Sequence, residues 1–192
     1  MGIFDRYHEN DDTTYETERL WLKVLKPHQA EVALSYYWRN RNFLEEWDPD
    51  REEGFYTKKG QANLLRYEYR LFKDRDFLRL WLFKKENPEK AIGNICFSNL
   101  IYGNFKSCFL AYKLDKDELN QGYMTEAIRK GIEIMFDYYG LHRIEANIIP
   151  RNHRSLRVVE KLNFEKEGFS KRYLKINGIW EDHWHFAIYN DK

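Results

Sequence analysis

Apolar and polar positions alternate along this chain in two rhythms, one of period two and one near four, and these mark out its elements. Residues 19–25, RLWLKVL, read as a first strand. Pro27 stops it and suits the first turn of a helix over 28–39, where Val32 and Tyr36 recur four residues apart. Residues 40–49 read as an aromatic, acidic loop carrying Phe43, Glu45, Glu46, Trp47 and Asp48. A second helix is expected over 57–72, with Leu64, Leu65, Tyr69 and Phe72 on one stripe. Residues 77–84 are apolar at almost every place, as in a strand buried on both faces. Asn87-Pro88-Glu89 supplies a turn to a partner strand over 91–100, within which Gly93 suggests a bulge or a close backbone approach.

A loop at Gly103-Asn104 leads to residues 108–127, CFLAYKLDKDELNQGYMTEA, which begin as a strand, pass a charged turn, and open a helix. Unpaired N–H groups and the positive dipole end at such a helix start make an anion site. The helix, 123–139, carries Met124, Ile128, Ile132, Met135 and Tyr139 on one face, and Gly140 ends it as a left-handed cap with Leu141 folding back. Ile144, Ala146 and Ile148 alternate in the next strand, so this strand–helix–strand unit is expected to be a parallel, right-handed crossover. Asn152 caps a further helix running to about Leu162. The chain closes with a hairpin, 169–176 and 179–189, turned at Asn177-Gly178. The expectation is a single α+β domain over 17–192, built on a mixed sheet, behind a flexible arm at 1–16.

Composition narrows the function classes. The 192 residues fit one domain, and acidic and basic groups cancel to a net +1, which implies no general affinity for nucleic acid or anionic membrane. No apolar run approaches the roughly 20 residues that span a bilayer. The polar start MGIFDRYHENDDTTYE lacks a signal peptide's apolar centre, so a cytoplasmic protein with two reduced, buried thiols, Cys96 and Cys108, is expected. His183 and His185 share a strand face, but without a third ligand at suitable spacing they make no metal site.

The order and spacing of several short motifs resemble the GCN5-related N-acetyltransferase (GNAT) superfamily, and within it the RimJ/RimL-like branch. These are Thr17-Glu18-Arg19-Leu20, Asn40-Arg41-x-Phe43-Leu44-x-x-Trp47-x-Pro49, and Ile92-Gly93-x-Ile95. Gly122-Tyr123-Met124-Thr125-Glu126-Ala127, Asn152-x-x-Ser155 and Glu160-Lys161-Leu162-x-Phe164 complete the set. The resemblance implies a GNAT fold: a mostly antiparallel sheet flanked by helices, with a splayed strand pair holding acetyl-CoA. Two places depart from the superfamily's Gln/Arg-x-x-Gly-x-Gly/Ala loop. Leu119 stands at the Gln/Arg place, and Asn120 stands where this branch usually has glycine. Asn is among the few residues that accept positive φ, and backbone N–H groups make most pyrophosphate contacts.

The resemblance also implies roles. Pantetheine would pair with the backbone of Ala111, Tyr112, Lys113 and Leu114, and the loop Leu119, Asn120, Gln121, Gly122, Tyr123, Met124 and Thr125 would cradle pyrophosphate. Asn152 would contact the cofactor, Arg157 (with Arg151 and Arg154) would reach its phosphates, and Ser155 would protonate the leaving thiolate. The place that often holds a glutamate base is Phe109, and the place that often holds a tyrosine acid is Val159. Phe43 and Trp47, with the acidic Glu45, Glu46, Asp48 and Asp182, are expected at the acceptor's mouth, and Glu126 is expected to complement the helix dipole or to pack behind the loop. A site with no evident strong base suits an N-terminal α-amine better than a lysine, because at neutral pH the lysine pays roughly 3 kcal/mol more to become neutral. The acceptor is therefore expected to be a protein or peptide N-terminus, ribosomal proteins being the branch's precedent. A small amine such as an antibiotic or polyamine, and a CoA-binding module without catalysis, stand as alternatives. A homodimer is plausible on the resemblance.

Overall fold

The computed structural model describes residues 13–190. One eight-stranded sheet runs through them in the order β1-β2-β3-β4-β5-β6-β8-β7. Its strands are β1 (Thr14–Glu16), β2 (Leu20–Lys23), β3 (Leu78–Lys84), β4 (Asn87–Ile101), β5 (Ser107–Leu114), β6 (Arg143–Ile148), β7 (Glu165–Ile176) and β8 (Ile179–Tyr189). All neighbours are antiparallel except β5 and β6, the crossover pair. The helices are α1 (Ala30–Arg39), α2 (Arg41–Glu45), α3 (Lys58–Lys73), α4 (Tyr123–Glu133) and α5 (His153–Lys161). This is the expected α+β architecture.

Two hydrophobic layers sandwich the sheet. On one face α4 and α5 bury Met124, Ala127, Ile128 and Val159 against Leu80, Leu82, Ile95, Phe97, Leu110, Ile144 and Ala146. On the other, α1 and α3 bury Ala33, Tyr36, Tyr37 and Leu65 against Trp81 and Phe83. Alternation along β3 sends successive side chains to opposite layers, which explains its nearly continuous apolar run.

Several boundaries differ from the sequence reading for identifiable reasons. Residues 14–16, assigned to the arm, pair with β2 as an edge strand, and residues 1–12 of that arm lie outside the described residues. The β3–β4 turn is Lys85-Glu86 rather than Asn87-Pro88-Glu89, with Lys84 opposite Asn87. Pro88 is tolerated because it stands at the start of its strand. Residues 41–45, read as loop, form α2. Its side chain packing explains this, since Leu44 is buried with the α1 layer.

Gly93 fulfils both of its expected roles. The register slips beside it, Leu82 facing Gly93 and Phe83 facing Ala91, so Ile92 is the extra residue of a bulge. A Cβ on Gly93 would lie 2.5 Å from the Lys113 carbonyl oxygen. The α4 helix widens into a π turn over Ile134–Tyr138 before Gly140, at φ 67°, reverses the chain. There the Leu141 N–H donates to Met135 O at 3.0 Å. The β7–β8 turn has positive φ at both Asn177 and Gly178, the twist a two-residue hairpin requires.

Candidate active site

The crossover strands part early. Cys108 faces Ile144 and Phe109 faces Glu145, but no residue of β5 beyond Phe109 pairs with β6. From Leu110 to Leu114 the β5 backbone is bonded to β4 on one side only. A β5 edge left open inside a sheet is a place for an extended ligand to pair. Ala111, in the middle of it, is exposed.

The chain then turns into α4 through two left-handed residues, Asn120 (φ 61°) and Gly122 (φ 84°). Asn120 thus takes the conformation for which asparagine substitutes for glycine. Leu119, Asn120, Gln121 and Gly122 form an exposed to half-exposed loop. The helix's first i→i−4 bond is Glu126 N–H to Gly122 O, which leaves the N–H groups of Tyr123, Met124 and Thr125 without intrahelical acceptors. Met124's side chain is buried in the core, so its contribution to this loop is confined to its backbone.

Two residues that the sequence did not single out together hold this loop. Arg19 Nη1 donates to Gln121 O (3.0 Å), and its guanidinium lies 4.5 Å above the Tyr123 ring. Glu126 fixes Arg19 in turn, accepting from Arg19 N (2.8 Å), Arg19 Nε (2.7 Å) and Thr17 Oγ1 (2.6 Å). Burial alone would raise the Glu126 carboxyl, but those donors outweigh it and hold it below its usual range. Glu126 is therefore a tie behind the loop, the second of its two expected places. The Thr-Glu-Arg-Leu motif marked this place in the sequence, but its partner more than a hundred residues away did not show.

Tyr112 reaches across the parted strands and donates from its hydroxyl to Ser155 O at 3.0 Å. Burial pushes this phenol well above its ordinary value. Asn152 caps α5, its Oδ1 accepting from Ser155 N at 3.1 Å. Asn152, Ser155 and Tyr112 are therefore brought together at the α5 side of the gap. Arg157 is exposed further along α5.

The mouth on the opposite face is arranged differently from expectation. Arg151 does not stand free for phosphate: it bonds Glu46 (2.9 Å) and Glu181 (2.5 Å) and lies 4.8 Å over the Trp47 ring. Arg154 lies 5.8 Å over Phe43. Phe43, Glu46 and Trp47 form one half of a latch to the start of α5. Asp48 is buried, ion-paired with Lys113 and with Arg51 (2.6 Å), and offers no free charge to a substrate. Asp182 accepts from Arg172 N (2.8 Å) where β7 bulges, and strand alternation puts it on the face of Trp184, opposite His183 and His185.

Beyond the splay, the face that α1 and α3 leave open carries Glu145 and Asn147 from β6, His183 and His185 from β8, and Ser170 and Tyr173 from β7. His185 Nδ1 is 2.5 Å from Asn147 Oδ1 and its Nε2 is 2.8 Å from Ser170 Oγ. Asn147 Nδ2 donates to Tyr173 OH (3.2 Å), so its oxygen accepts from the His185 ring. Burial lowers the His183 imidazole. No group of three or more metal-binding side chains occurs among the described residues.

A split β5–β6 pair beside a helix start with unbonded N–H groups sets an open backbone edge next to an anion site. Residues 19–165 match the Acetyltransferase (GNAT) domain model. The chain belongs to the GNAT acetyltransferase family. A Bacillus subtilis (strain 168) protein described as probable N-acetyltransferase YjcK is 37% identical over 172 residues, 89% of this chain and 94% of that one. The Escherichia coli (strain K12) [ribosomal protein uS5]-alanine N-acetyltransferase is 35% identical over 167 residues, 87% of this chain and 86% of that enzyme. The crystal structure of ribosomal-protein-S5-alanine acetyltransferase from Vibrio fischeri superposes with a TM-score of 0.89 at 35% identity, covering 94% of this chain and 98% of that one. The RimJ/RimL-like resemblance read from the motifs holds along nearly the whole chain.

Proposed function

We propose that this protein transfers the acetyl group of acetyl-CoA to the N-terminal α-amine of a ribosomal protein, acting in the cytoplasm where that substrate is made. The observation that carries the proposal is the parting of β5 from β6 after Phe109, directly beside the Asn120–Gly122 turn into α4. Its open backbone edge and unbonded helix-start N–H groups fit the amide-bearing arm and the pyrophosphate of one molecule. The likeness to two S5-alanine acetyltransferases makes an alanine-starting peptide the first acceptor to try.

Acetyl-CoA supplies the activated acyl group, and the chain's residues orient it. The Arg19–Glu126 tie keeps the loop N–H groups converged on phosphate, and the open β5 edge at Leu110–Ala111 offers a backbone N–H for the developing oxyanion. Ser155, beside Tyr112 and Asn152 at the α5 side of the gap, is the hydroxyl assigned to protonate the leaving thiolate. The mouth charges favour a peptide over a polyamine: Glu46 and Glu181 share Arg151 and Asp48 lies between Lys113 and Arg51, so three carboxylates are balanced by three cations. A polycation would find little unbalanced negative charge there.

The test measures thiol release from acetyl-CoA with peptides starting in Ala, Ser or Met, with an N-blocked lysine peptide, and with spermidine and an aminoglycoside. Fastest turnover is expected on a free α-amine, with an alanine start preferred. Preference for the blocked lysine peptide or for either small amine would overturn the acceptor assignment, and acetyl-CoA binding without turnover on any amine would overturn the transferase reading.

A further inference from the structure

An amine that attacks a thioester must lose a proton, and the two positions at which the resemblance places acid–base groups are apolar here: Phe109 stands on β5 at the splay and Val159 is buried in the core. The sheet register supplies a candidate from the neighbouring strand. Resting on the acetyltransferase reading above, we propose that Glu145 is the proton acceptor of the reaction, held in place by Arg143.

Three observations support this. Glu145 is the Cα partner of Phe109, the last pair before the strands part, so it stands at the closed end of the gap. Strand alternation turns its side chain away from Ile144 and Ala146, which pack under α4 and α5. It therefore faces the side opposite the phosphate-binding helix start, the side from which an acceptor must come if the cofactor fills the other. Finally, its two oxygens differ. Oε2 accepts from Arg143 Nη2 at 2.9 Å, while Oε1 is 3.7 Å from His185 Nδ1, too long for a hydrogen bond, and so keeps capacity to accept a proton.

The surroundings hold this carboxylate without neutralising it twice. Arg143 is shared with Glu167, which also accepts from Tyr189 OH. His185 is fixed by Asn147 and Ser170, and the Tyr173 ring lies edge-on at 4.9 Å. His183 stands beyond Tyr173, 5.1 Å between rings. The other carboxylates near the cleft are engaged elsewhere: Asp48 with Lys113 and Arg51, Glu46 and Glu181 with Arg151, Asp182 with the Arg172 N–H.

In the step, the amine lone pair forms the C–N bond at the acetyl carbon, and the C–S bond breaks with its electron pair leaving on sulfur. The N–H proton passes to Glu145 Oε1 and from there to water in the open cleft, while the thiolate takes up a proton to leave as CoA thiol. The net change is acetyl-CoA plus amine to acetamide plus CoA thiol.

The experiment compares wild type, Glu145→Gln and Glu145→Ala in full-length protein, with acetyl-CoA and the best α-amine peptide found above. Glu145→Gln is expected to lower kcat by about 10²-fold or more, the usual worth of a general base, with acetyl-CoA affinity by calorimetry unchanged. Glu145→Ala is expected to regain activity on addition of formate, which a loss of folding or of cofactor binding would not allow. Glu145→Gln at wild-type kcat, or a slow Glu145→Ala that formate does not restore while the variant still binds acetyl-CoA, refutes the assignment and leaves the transferase reading standing. Wild type that binds acetyl-CoA but acetylates no amine refutes both.

Discussion

Replacing Asp48 by asparagine should destabilise the protein by an amount that grows as pH falls. In the native chain burial pushes the Lys113 ammonium down to about 8, with Asp48 partly offsetting it. Lys113's side chain is 21% exposed, too little for water to screen the pair fully. An unfolded lysine titrates near 10.4, so between about 8 and about 10.4 the folded chain binds fewer protons and wild-type stability rises with pH. Without Asp48 the buried ammonium stands beside Arg51 with no counter-charge, and its remaining escape is to lose the proton. At pH 7 that costs ~1.4 kcal/mol beyond the wild-type state, and each lower pH unit adds about the same. The rise stops when it meets the ~3–5 kcal/mol of leaving a buried charge unpaired. Asp48's own carboxyl is held below its ordinary range by Lys113 and Arg51 against the effect of burial, so its contribution is constant across this window. The difference between wild type and D48N should thus be small and flat above pH 8 and reach about 3 kcal/mol near pH 6, a Tm gap of about 6–12 °C for a chain this size. Urea unfolding at half-unit pH intervals measures it. A gap that is flat from pH 6 to 9, or that widens toward alkali, would refute the charged Lys113–Asp48 pair.

Two further outcomes follow from the same geometry. Glu126→Gln keeps one acceptor oxygen but loses the charge that fixes Arg19, whose side chain is 43% exposed, so the loss is expected at about 1–2 kcal/mol. The Glu126 carboxyl is depressed, so its stabilisation is present above the unfolded carboxylate range and is lost as pH falls through its folded value; the wild-type advantage should close below about pH 4. KM for acetyl-CoA should rise with kcat retained, and a collapse of kcat at saturating acetyl-CoA would give Glu126 a chemical role instead. Both cysteines should resist iodoacetamide in the native protein near pH 8 and react in denaturant, because burial pushes Cys108 up to about 12 and Cys96 upward as well; rapid native labelling counted by mass spectrometry would contradict this.

The periodic patterns were sufficient for the sheet-and-helix plan because each buried face repeats at the spacing of its element. The Asn177-Gly178 hairpin, the Gly140 cap and the Gly93 bulge were legible for a related reason: each demands a backbone state or a close approach that few residues allow. The left-handed turn into α4 was legible from Asn120 and Gly122 alone. Boundaries that depend on cross-strand partners were not, as the Lys85-Glu86 turn and the edge strand at 14–16 show.

The same division applies to the candidate site. Local sequence determined the loop, the Asn152 cap and the strand–helix–strand order, since these are fixed by neighbours within a few residues. Only the tertiary structure decided which charges are free. Asp48 and Arg151 read as available and proved engaged with Lys113, Glu46 and Glu181. Glu145 had no signal of its own in the sequence and stands opposite Phe109 at the splay. Charge pairing and strand register join residues tens of positions apart, and a side chain's chemistry is set by what folding brings beside it, which no local pattern in the chain encodes.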